Sequence, residues 1–275
     1  MRSEFSEGRQ WAGRVLAMAD VTSFPHLYTA VLTQLAHHTW LQIGTDEAKP
    51  IIEQALPVAR SQGDPQTLAN ALMVFGLVLM SEENFAAAQS TLEKSMTLFG
   101  EDGDKWGYAL AVMCLASATH RNDDQVKALA LNQQALTLFR ELGETYFQSV
   151  CLWASGHLRA KLGDWKVGLE ELRESLTLSR RLDSKLEVAA ALLRLAEVEQ
   201  HLEDPARPVW LYWAARTVYD SIGVRYTGDN PNLEKRLASC RAALSEAAFT
   251  EAVERGRAMT MEQAIAYALE PSINS

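Results

Sequence analysis

The chain has 275 residues, of which 48% are hydrophobic and 22% charged, so its composition is that of a folded globular protein and excludes wholesale disorder. Its 26 basic and 35 acidic residues leave a net charge of −9, which argues against a surface that coats nucleic acid or an anionic membrane. No apolar run approaches the roughly 18 residues that span a bilayer. No signal peptide opens the sequence, and three cysteines are too few for a disulfide framework, so we expect a cytoplasmic protein.

The first predicted element, in residues 1–23, is half of a repeating unit. Val15 and Met18 stand one period of 40 residues before Ala55 and Val58, which lie in the second helix of the next unit. A half unit leaves an apolar flank, whereas arrays of helical repeats need polar caps at their ends. We therefore expect a partner against this flank, either a preceding module or a second copy of the chain. A lone capping helix is the alternative.

Residues 24–223 contain five units of 40 residues, each predicted to be two antiparallel helices. Two sets of turn-forming residues recur at this spacing. Because Gly, Asn and Asp tolerate tight turns and positive φ, these residues mark helix ends. One set is Gly63, Gly103, Gly143, Asp183 and Gly223, and the other is Gly44, Asn84, Asp124, Asp164 and Asp204.

Apolar and small residues recur with the same period. In the first helices, the large apolar column Leu32, Leu72, Val112, Leu152 and Leu192 is followed four residues later by the small column Ala36, Gly76, Ala116, Gly156 and Ala196. In the second helices, a small column reads Ala55, Ser95, Ala135, Ser175 and Ala215. Spacings of three and four place such residues on one helical face, and small side chains indicate where two helix backbones approach closely.

The repeating units resemble the tetratricopeptide class of repeat. The turn Gly163-Asp-Trp165 and its weaker counterpart Glu83-Asn-Phe85 are polar turns closed by an aromatic residue, as this class favours. The expected fold is therefore all-α: a right-handed superhelical solenoid of about five helix-turn-helix repeats, with an N-terminal half repeat and a C-terminal cap.

Residues 224–270 break the period and are predicted to form a C-terminal cap of helices. A linker at 227–232 leads into a helix at about 231–246. Residues 271–275 are expected to be disordered.

The end of the cap carries helix punctuation. Gly256 is expected to stop one helix, and Thr260 to cap the next with Gln263 in the capping-box position. The last helix contains no Lys or Arg, and Arg255 and Arg257 stand alone before it. We therefore expect a capping role and no direct contact with nucleic acid.

The tail is also the most specific part of the sequence. Phe249, the run Glu254-Arg-Gly-Arg-Ala258 and the run Glu262-Gln-Ala-Ile-Ala266 resemble the C-terminal end of the tetratricopeptide arm in bacterial signal-transduction ATPases with numerous domains. The segment Glu7-Gly-Arg-Gln-Trp11 is similar to a repeat of the same arm. The resemblance implies an arm that senses an inducer or partner protein and a nucleotide-binding module, N-terminal to this chain, that reads the result. The catalytic residues of that family belong to modules outside this sequence.

The sequence contains no recognisable catalytic motif. There is no phosphate-binding loop, and Gly100, Gly103 and Gly107 are separated by acidic residues that would repel phosphate. His37 and His38 lack the spacing of a zinc protease, and adjacent helical residues point about 100° apart. We expect no enzyme activity, metal or cofactor.

The first helices of the units are expected to line a concave groove. Solvent-facing columns should be polar, but the columns beside Leu32 and Ala36 hold Met, Trp and His, which suit a peptide, a partner helix or a small effector. The candidate groove residues are Thr33, His37, Trp40, Met73, Leu77, Met80, Met113, Ser117, His120, Trp153 and His157. The alternative is that these columns are ordinary core, where Met and Trp are usually found.

The sequence thus predicts a non-enzymatic recognition scaffold, the sensor or regulatory arm of a bacterial signalling ATPase or transcription regulator. Its ligand would be a peptide, a partner protein or a small effector, and binding would change the curvature of the superhelix. Two alternatives stay open: a stand-alone adaptor or peptide-pheromone receptor of the same repeat class, and a hydrolase with an unrecognised site.

Overall fold

The computed structural model describes residues 2–18, 20–199, 204–223 and 231–270. Within these ranges the chain is helical and contains no β-strand, and consecutive helices pack as antiparallel pairs. The predicted fold class, an all-α array of helical repeats, is therefore confirmed. The chain divides into two compact units, residues 1–138 and 139–275.

The first unit contains the N-terminal helix and two complete helix pairs. Its helices are α1 (Arg2–Leu16), α2 (Pro25–Gln42), α3 (Thr45–Gln62), α4 (Pro65–Ser81), α5 (Phe85–Asp102), α6 (Lys105–Arg121) and the start of α7 (Gln125–Leu142). A short 3₁₀ turn, Val21–Ser23, leads into α2. α2 packs against α3, α4 packs against α5, and α1 packs against α2.

The turns between successive 40-residue repeats contain residues with a left-handed backbone conformation at the predicted spacing. These are Gly63 (φ 70°), Gly103 (φ 78°), Gly143 (φ 72°), Asp183 (φ 50°) and Gly223 (φ 66°). Inside a repeat, the predicted residues mark helix ends, and Gly44 itself has positive φ (144°), but in the next repeats the residue with positive φ comes one position earlier. Glu83 and Gly163 adopt positive φ, whereas Asn84 and Asp164 have negative φ and stand at the N-caps of α5 and α9.

The small-residue columns lie where paired helices touch. A Cβ atom added to Gly76 of α4 would come within 2.6 Å of the Leu92 side chain of α5. The Ser95 hydroxyl of α5 donates a hydrogen bond of 2.7 Å to the Ala69 carbonyl of α4. The column therefore fixes how closely the two helices of a pair approach.

The second unit contains two helix pairs and three further helices. Its complete helices are α8 (Thr145–Lys161), α9 (Trp165–Arg181), α10 (Lys185–Val198), α11 (Arg207–Ser221), α12 (Pro231–Ala243), α13 (Glu246–Ala258) and α14 (Met261–Leu269). α8 packs against α9 and α10 packs against α11. α13 and α14 then pack against α11.

Two predictions for the tail are corrected, and one is confirmed. The helix expected at about 231–246 ends at Ala243. Gly256 does not stop a helix but lies inside α13, which ends at Ala258. Thr260 and Gln263 form the predicted capping box at the start of α14. The expected linker at 227–232 falls largely on 224–230, which lie outside the described residues, as do residues 271–275.

A buried ion pair fastens α14 to the rest of its unit. The Arg207 Nε donates to Oε2 of Glu199 at 2.9 Å, and the Glu199 side chain is fully buried. Nη2 of Arg207 also donates to the carbonyl oxygens of Tyr267, Ala268 and Glu270. One guanidinium thus satisfies carbonyls that the C-terminal end of a helix otherwise leaves without donors. Burial raises the pKa of Glu199, and Arg207 opposes that rise.

Candidate ligand-binding face

The predicted groove residues of the first unit lie on α2, α4 and α6. Thr33 is 2% exposed, and its hydroxyl oxygen has no hydrogen-bond partner among the described residues. Ser117 is exposed, and its hydroxyl donates to the Met113 carbonyl of its own helix. The other predicted residues are partly exposed: His37, Trp40, Met73, Leu77, Met80, Met113 and His120.

An aromatic pair bridges α2 and α4 in this unit. The rings of His37 and Trp40 stack with their centroids 6.0 Å apart. Trp40 Nε1 donates to the Ser81 hydroxyl at 2.8 Å. Burial, followed by the neighbouring His38, lowers the pKa of His37, so its imidazole is neutral at pH 7. A neutral imidazole can donate one hydrogen bond to a ligand and accept another.

The methionines of the first unit have a mixed environment. Met73 and Met80 are partly exposed and pack against a cluster that contains Leu79 and Leu115. At the end of α6, Nδ1 of His120 is hydrogen-bonded to the Gln125 side chain. These residues therefore contribute to packing and also leave part of their surface accessible.

The second unit has a polar cluster between α8 and α10. The Arg194 guanidinium lies 5.3 Å from the ring centroid of Trp153 and donates from Nη1 to the Glu197 carboxylate at 2.9 Å. His157 Nδ1 lies 3.5 Å from the same carboxylate. His157 is 7% exposed, so Trp153 and Arg194 form the accessible part of the cluster.

The indole of Trp153 has an unsatisfied donor. Its Nε1 atom is buried and has no acceptor among the residues that the structure describes. A buried donor without an acceptor costs about 1–3 kcal/mol. An acceptor that reached this nitrogen would therefore gain that free energy.

Arg194 was missed because it stands one position outside the predicted columns. The signal for it is a spacing of 41 residues between contacting side chains on successive first helices. Trp153 and Arg194 have this spacing, as do Trp40 and Ser81, and Tyr146 and Glu187. Adding one residue to the 40-residue period thus identifies the partner across the helix–helix contact.

Two kinds of reactive group can be checked among the described residues, namely metal ligands and the Cys114 thiol. In the described ranges, no group of three or more His, Cys, Asp or Glu side chains is placed to hold a metal ion. The Cys114 thiol is buried, which raises its pKa to about 12 and makes it a poor nucleophile. None of the described helices is both long enough and apolar enough to cross a membrane.

Solved structures of other proteins share the fold, and two of them match most of this chain. BtubC (BKLC) from P. vanneervenii is 15% identical with a TM-score of 0.62, over 83% of this chain and 93% of BtubC. The signal transduction ATPase with numerous domains and a tetratricopeptide repeat sensor from Pyrococcus horikoshii is 16% identical with a TM-score of 0.60, over 90% of this chain. The match spans 44% of that ATPase. The chain matches no protein-family model and no curated protein. At these identities the likeness concerns the fold alone.

Proposed function

We propose that this chain is a non-enzymatic recognition scaffold that binds a peptide, a partner protein or a small effector on the first helices of its repeats. The observation that carries the proposal is the Trp153 site. A large aromatic ring, an adjacent guanidinium and a donor without an acceptor together favour a ligand with an apolar group beside a carbonyl or carboxylate.

The first unit offers a second surface, which is built from aromatic and thioether side chains. His37, Trp40 and Met80 are partly exposed there, and the rings of His37 and Trp40 stack on each other. Methionine adapts to ligands of varied shape, and Trp supplies contact area with little loss of conformational entropy. Each unit would thus recognise its own part of a partner or its own ligand.

The regulatory setting that we propose is the sensor arm of a signalling ATPase or transcription regulator in the bacterial cytoplasm. The tetratricopeptide sensor of the P. horikoshii ATPase supports this setting through its fold. A nucleotide-binding module would contact the exposed apolar side chains of Trp11, Met18 and Phe24, and a homodimer would use the same residues. Ligand binding would change the packing of adjacent first helices and so alter that contact.

The test uses the indole resonances of the whole chain. Titrating ¹⁵N-labelled protein with a library of small acids and linear hexapeptides should yield a ligand that shifts the Trp153 Nε1 resonance. Trp153→Phe identifies that resonance and should weaken binding of the ligand at least tenfold. Trp106→Phe, which alters an exposed Trp at the start of α6, should leave binding unchanged. Ligands that bind the Trp153→Phe variant with full affinity would refute the Trp153 site.

A stand-alone adaptor is the second candidate. The match to BtubC favours this candidate, because the shared fold makes up 93% of the BtubC chain. Sequencing the native gene upstream of the Met1 codon separates the two settings. An in-frame phosphate-loop ATPase supports the regulator, whereas a stop codon followed by a ribosome-binding site supports the adaptor.

A further inference from the structure

The end of α13 lies unusually close to α11. Gly256 is buried between the two helices, and a Cβ atom there would lie 2.7 Å from the Trp210 carbonyl oxygen and 2.9 Å from Cβ of Trp213. The Thr217 hydroxyl of α11 faces the Arg257 carbonyl at 3.5 Å. Because glycine permits this approach, the residues on either side of Gly256 are held against two successive tryptophans of α11.

Each of these flanking residues is an arginine that covers one indole. The guanidinium carbon of Arg255 lies 4.1 Å from the Trp210 ring centroid, and that of Arg257 lies 4.0 Å from the Trp213 centroid. A guanidinium stacked on an aromatic face keeps its N–H edges directed outward. The two arginines therefore form a fixed pair of donors on the surface of the second unit.

In the part of the chain that the structure describes, the two guanidinium groups have no acidic partner. Among the described residues, Arg255 and Arg257 make no ion pair and no side-chain hydrogen bond, although Glu251 and Glu254 stand one turn earlier on α13. Arg241 in the same region is different, since it stacks on Phe249 and is paired with Glu246. Two unpaired, pre-positioned guanidinium groups are suited to bind carboxylates.

A cleft of about 480 Å³ adjoins Arg255. Its apolar lining comes from Ala258, Met259, Ala266 and Tyr267, and its polar lining from Arg255, Gln263 and Glu270. Tyr267 also packs edge-on against Trp210, so the cleft and the stacked arginine share one aromatic wall. The apolar lining suits an aliphatic or aromatic side chain.

We infer that this surface binds an acidic segment of a partner protein. An apolar side chain of the segment would enter the cleft, and neighbouring Asp or Glu carboxylates would pair with Arg255 and Arg257. A buried indole Nε1–H strengthens the inference, because that of Trp210 has no acceptor among the described residues. Nucleic acid fits less well, since α14 carries no Lys or Arg and two guanidinium groups would neutralise only a few of the closely spaced phosphates of a strand.

Phage display of random 12-residue peptides on the immobilised full chain tests this inference. Selected peptides should carry a net charge of about −2 or below and at least one large apolar residue. In fluorescence anisotropy, the double variant Arg255→Gln/Arg257→Gln should weaken the best peptide at least tenfold, and replacing its acids by amides should do the same. Arg241→Gln is the matched control and should change the Kd less than twofold.

Several outcomes would overturn the inference. In the selection, these are enrichment of neutral or basic peptides and failure to enrich any peptide. In the binding assay, one is equal binding to the double variant when its circular dichroism is native. The other is displacement of the peptide by single-stranded DNA or polyphosphate at a lower concentration than by the unlabelled acidic peptide. Trp153→Phe should leave this binding intact, so the result is independent of the function proposed for the first helices.

Discussion

The pairs α4–α5 and α8–α9 stand 80 residues apart in the sequence, and in both pairs two helices pack closely, but through different contacts. Both contain a buried serine in the second helix that donates to a carbonyl of the first: Ser95 to Ala69 at 2.7 Å, and Ser175 to Ser149 at 2.8 Å. Both have a glycine in the first helix at the closest approach, Gly76 and Gly156. What faces that glycine is different.

In the first unit a side chain faces the glycine, and in the second unit a backbone does. A Cβ atom on Gly76 would lie 2.6 Å from Cγ of Leu92, whereas one on Gly156 would lie 2.6 Å from the Gly168 carbonyl oxygen as well as 2.8 Å from Cγ of Leu172. Where α9 has Gly168, α5 has Ala88. The second glycine lets the two backbones of α8 and α9 touch directly.

The accessible surfaces of the two pairs differ more than their contacts. In the first unit, Met73 of α4 and Cys114 of the next first helix, α6, stand where the second unit has Trp153 of α8 and Arg194 of α10, and the Cys114 thiol is buried. The first position pair carries a thioether and a thiol, whereas the second carries an indole and a guanidinium. The comparison indicates that the small columns set the scaffold, while neighbouring columns are free to vary with the ligand.

The largest expected effect separates the two glycines. Gly156→Ala should lower the free energy of unfolding by about 3 kcal/mol, because the backbone of α9 must move away. Gly76→Ala should cost less, about 1–2 kcal/mol, since only the buried Leu92 side chain must shift and alanine favours the helix. Urea denaturation of both variants measures the difference. Equal losses would show that the backbone contact in the second unit is not the tighter one.

The serines should behave alike. Ser95→Ala and Ser175→Ala each remove one buried hydrogen bond to a carbonyl, so each should cost about 1 kcal/mol. Ser90→Ala, an exposed position on α5, is the control and should change stability by less than about 0.5 kcal/mol. Losses at Ser95 and Ser175 that differ by more than about 1 kcal/mol would contradict the equivalence of the two pairs.

The sequence predicted the repeat because its signal is local and recurs. Turn residues and small columns have the same spacing in every unit, so the all-α repeat fold follows from them. The opposition of Gly156 and Gly168 does not, because nothing in the period singles out Gly168 on the facing helix. Close contacts of backbone with backbone depend on how two helices cross.

The site was less predictable for the same reason. The columns placed Trp153 and His157 on α8, but the exposure of each depends on what α10 brings against it. Arg255 and Arg257 looked isolated because their aromatic partners, Trp210 and Trp213, lie about 45 residues earlier in the chain. Only the packing of α13 on α11 brings these residues together.

The smallest expected effect concerns a buried carboxylate that is specific to the second unit. Glu187 of α10 accepts a hydrogen bond of 3.2 Å from the Tyr146 hydroxyl of α8. In the first unit, Gly107 stands at the position of Glu187 and Gln66 at the position of Tyr146. Burial raises the pKa of Glu187, and the hydrogen bond from Tyr146 partly opposes this rise. Burial and the nearby carboxylate raise the pKa of Tyr146 to about 12, so its hydroxyl stays a donor at neutral pH.

The raised pKa of Glu187 has a defined sign in the pH dependence of stability. The folded state holds the proton more tightly than the unfolded state, so the stabilisation is complete below the unfolded pKa of about 4.3 and is lost as the pH rises through the folded pKa. Glu187→Gln removes this loss while keeping an oxygen for the Tyr146 hydroxyl. The variant should therefore gain on the wild type, by at most about 1 kcal/mol, as the pH rises from 4 to 7.

Tyr146→Phe provides the opposing control. It removes the hydrogen bond that favours the carboxylate, so the pKa of Glu187 should rise further and the wild type should gain on this variant over the same pH range. The double variant Tyr146→Phe/Glu187→Gln should lose both trends, since no titrating group is left at this contact. Urea denaturation at half-unit steps of pH measures all three differences. If the stability difference between Glu187→Gln and the wild type stays constant with pH, the Glu187 carboxyl does not have a raised pKa. The contact between α8 and α10 would then be no more sensitive to pH than the corresponding contact in the first unit.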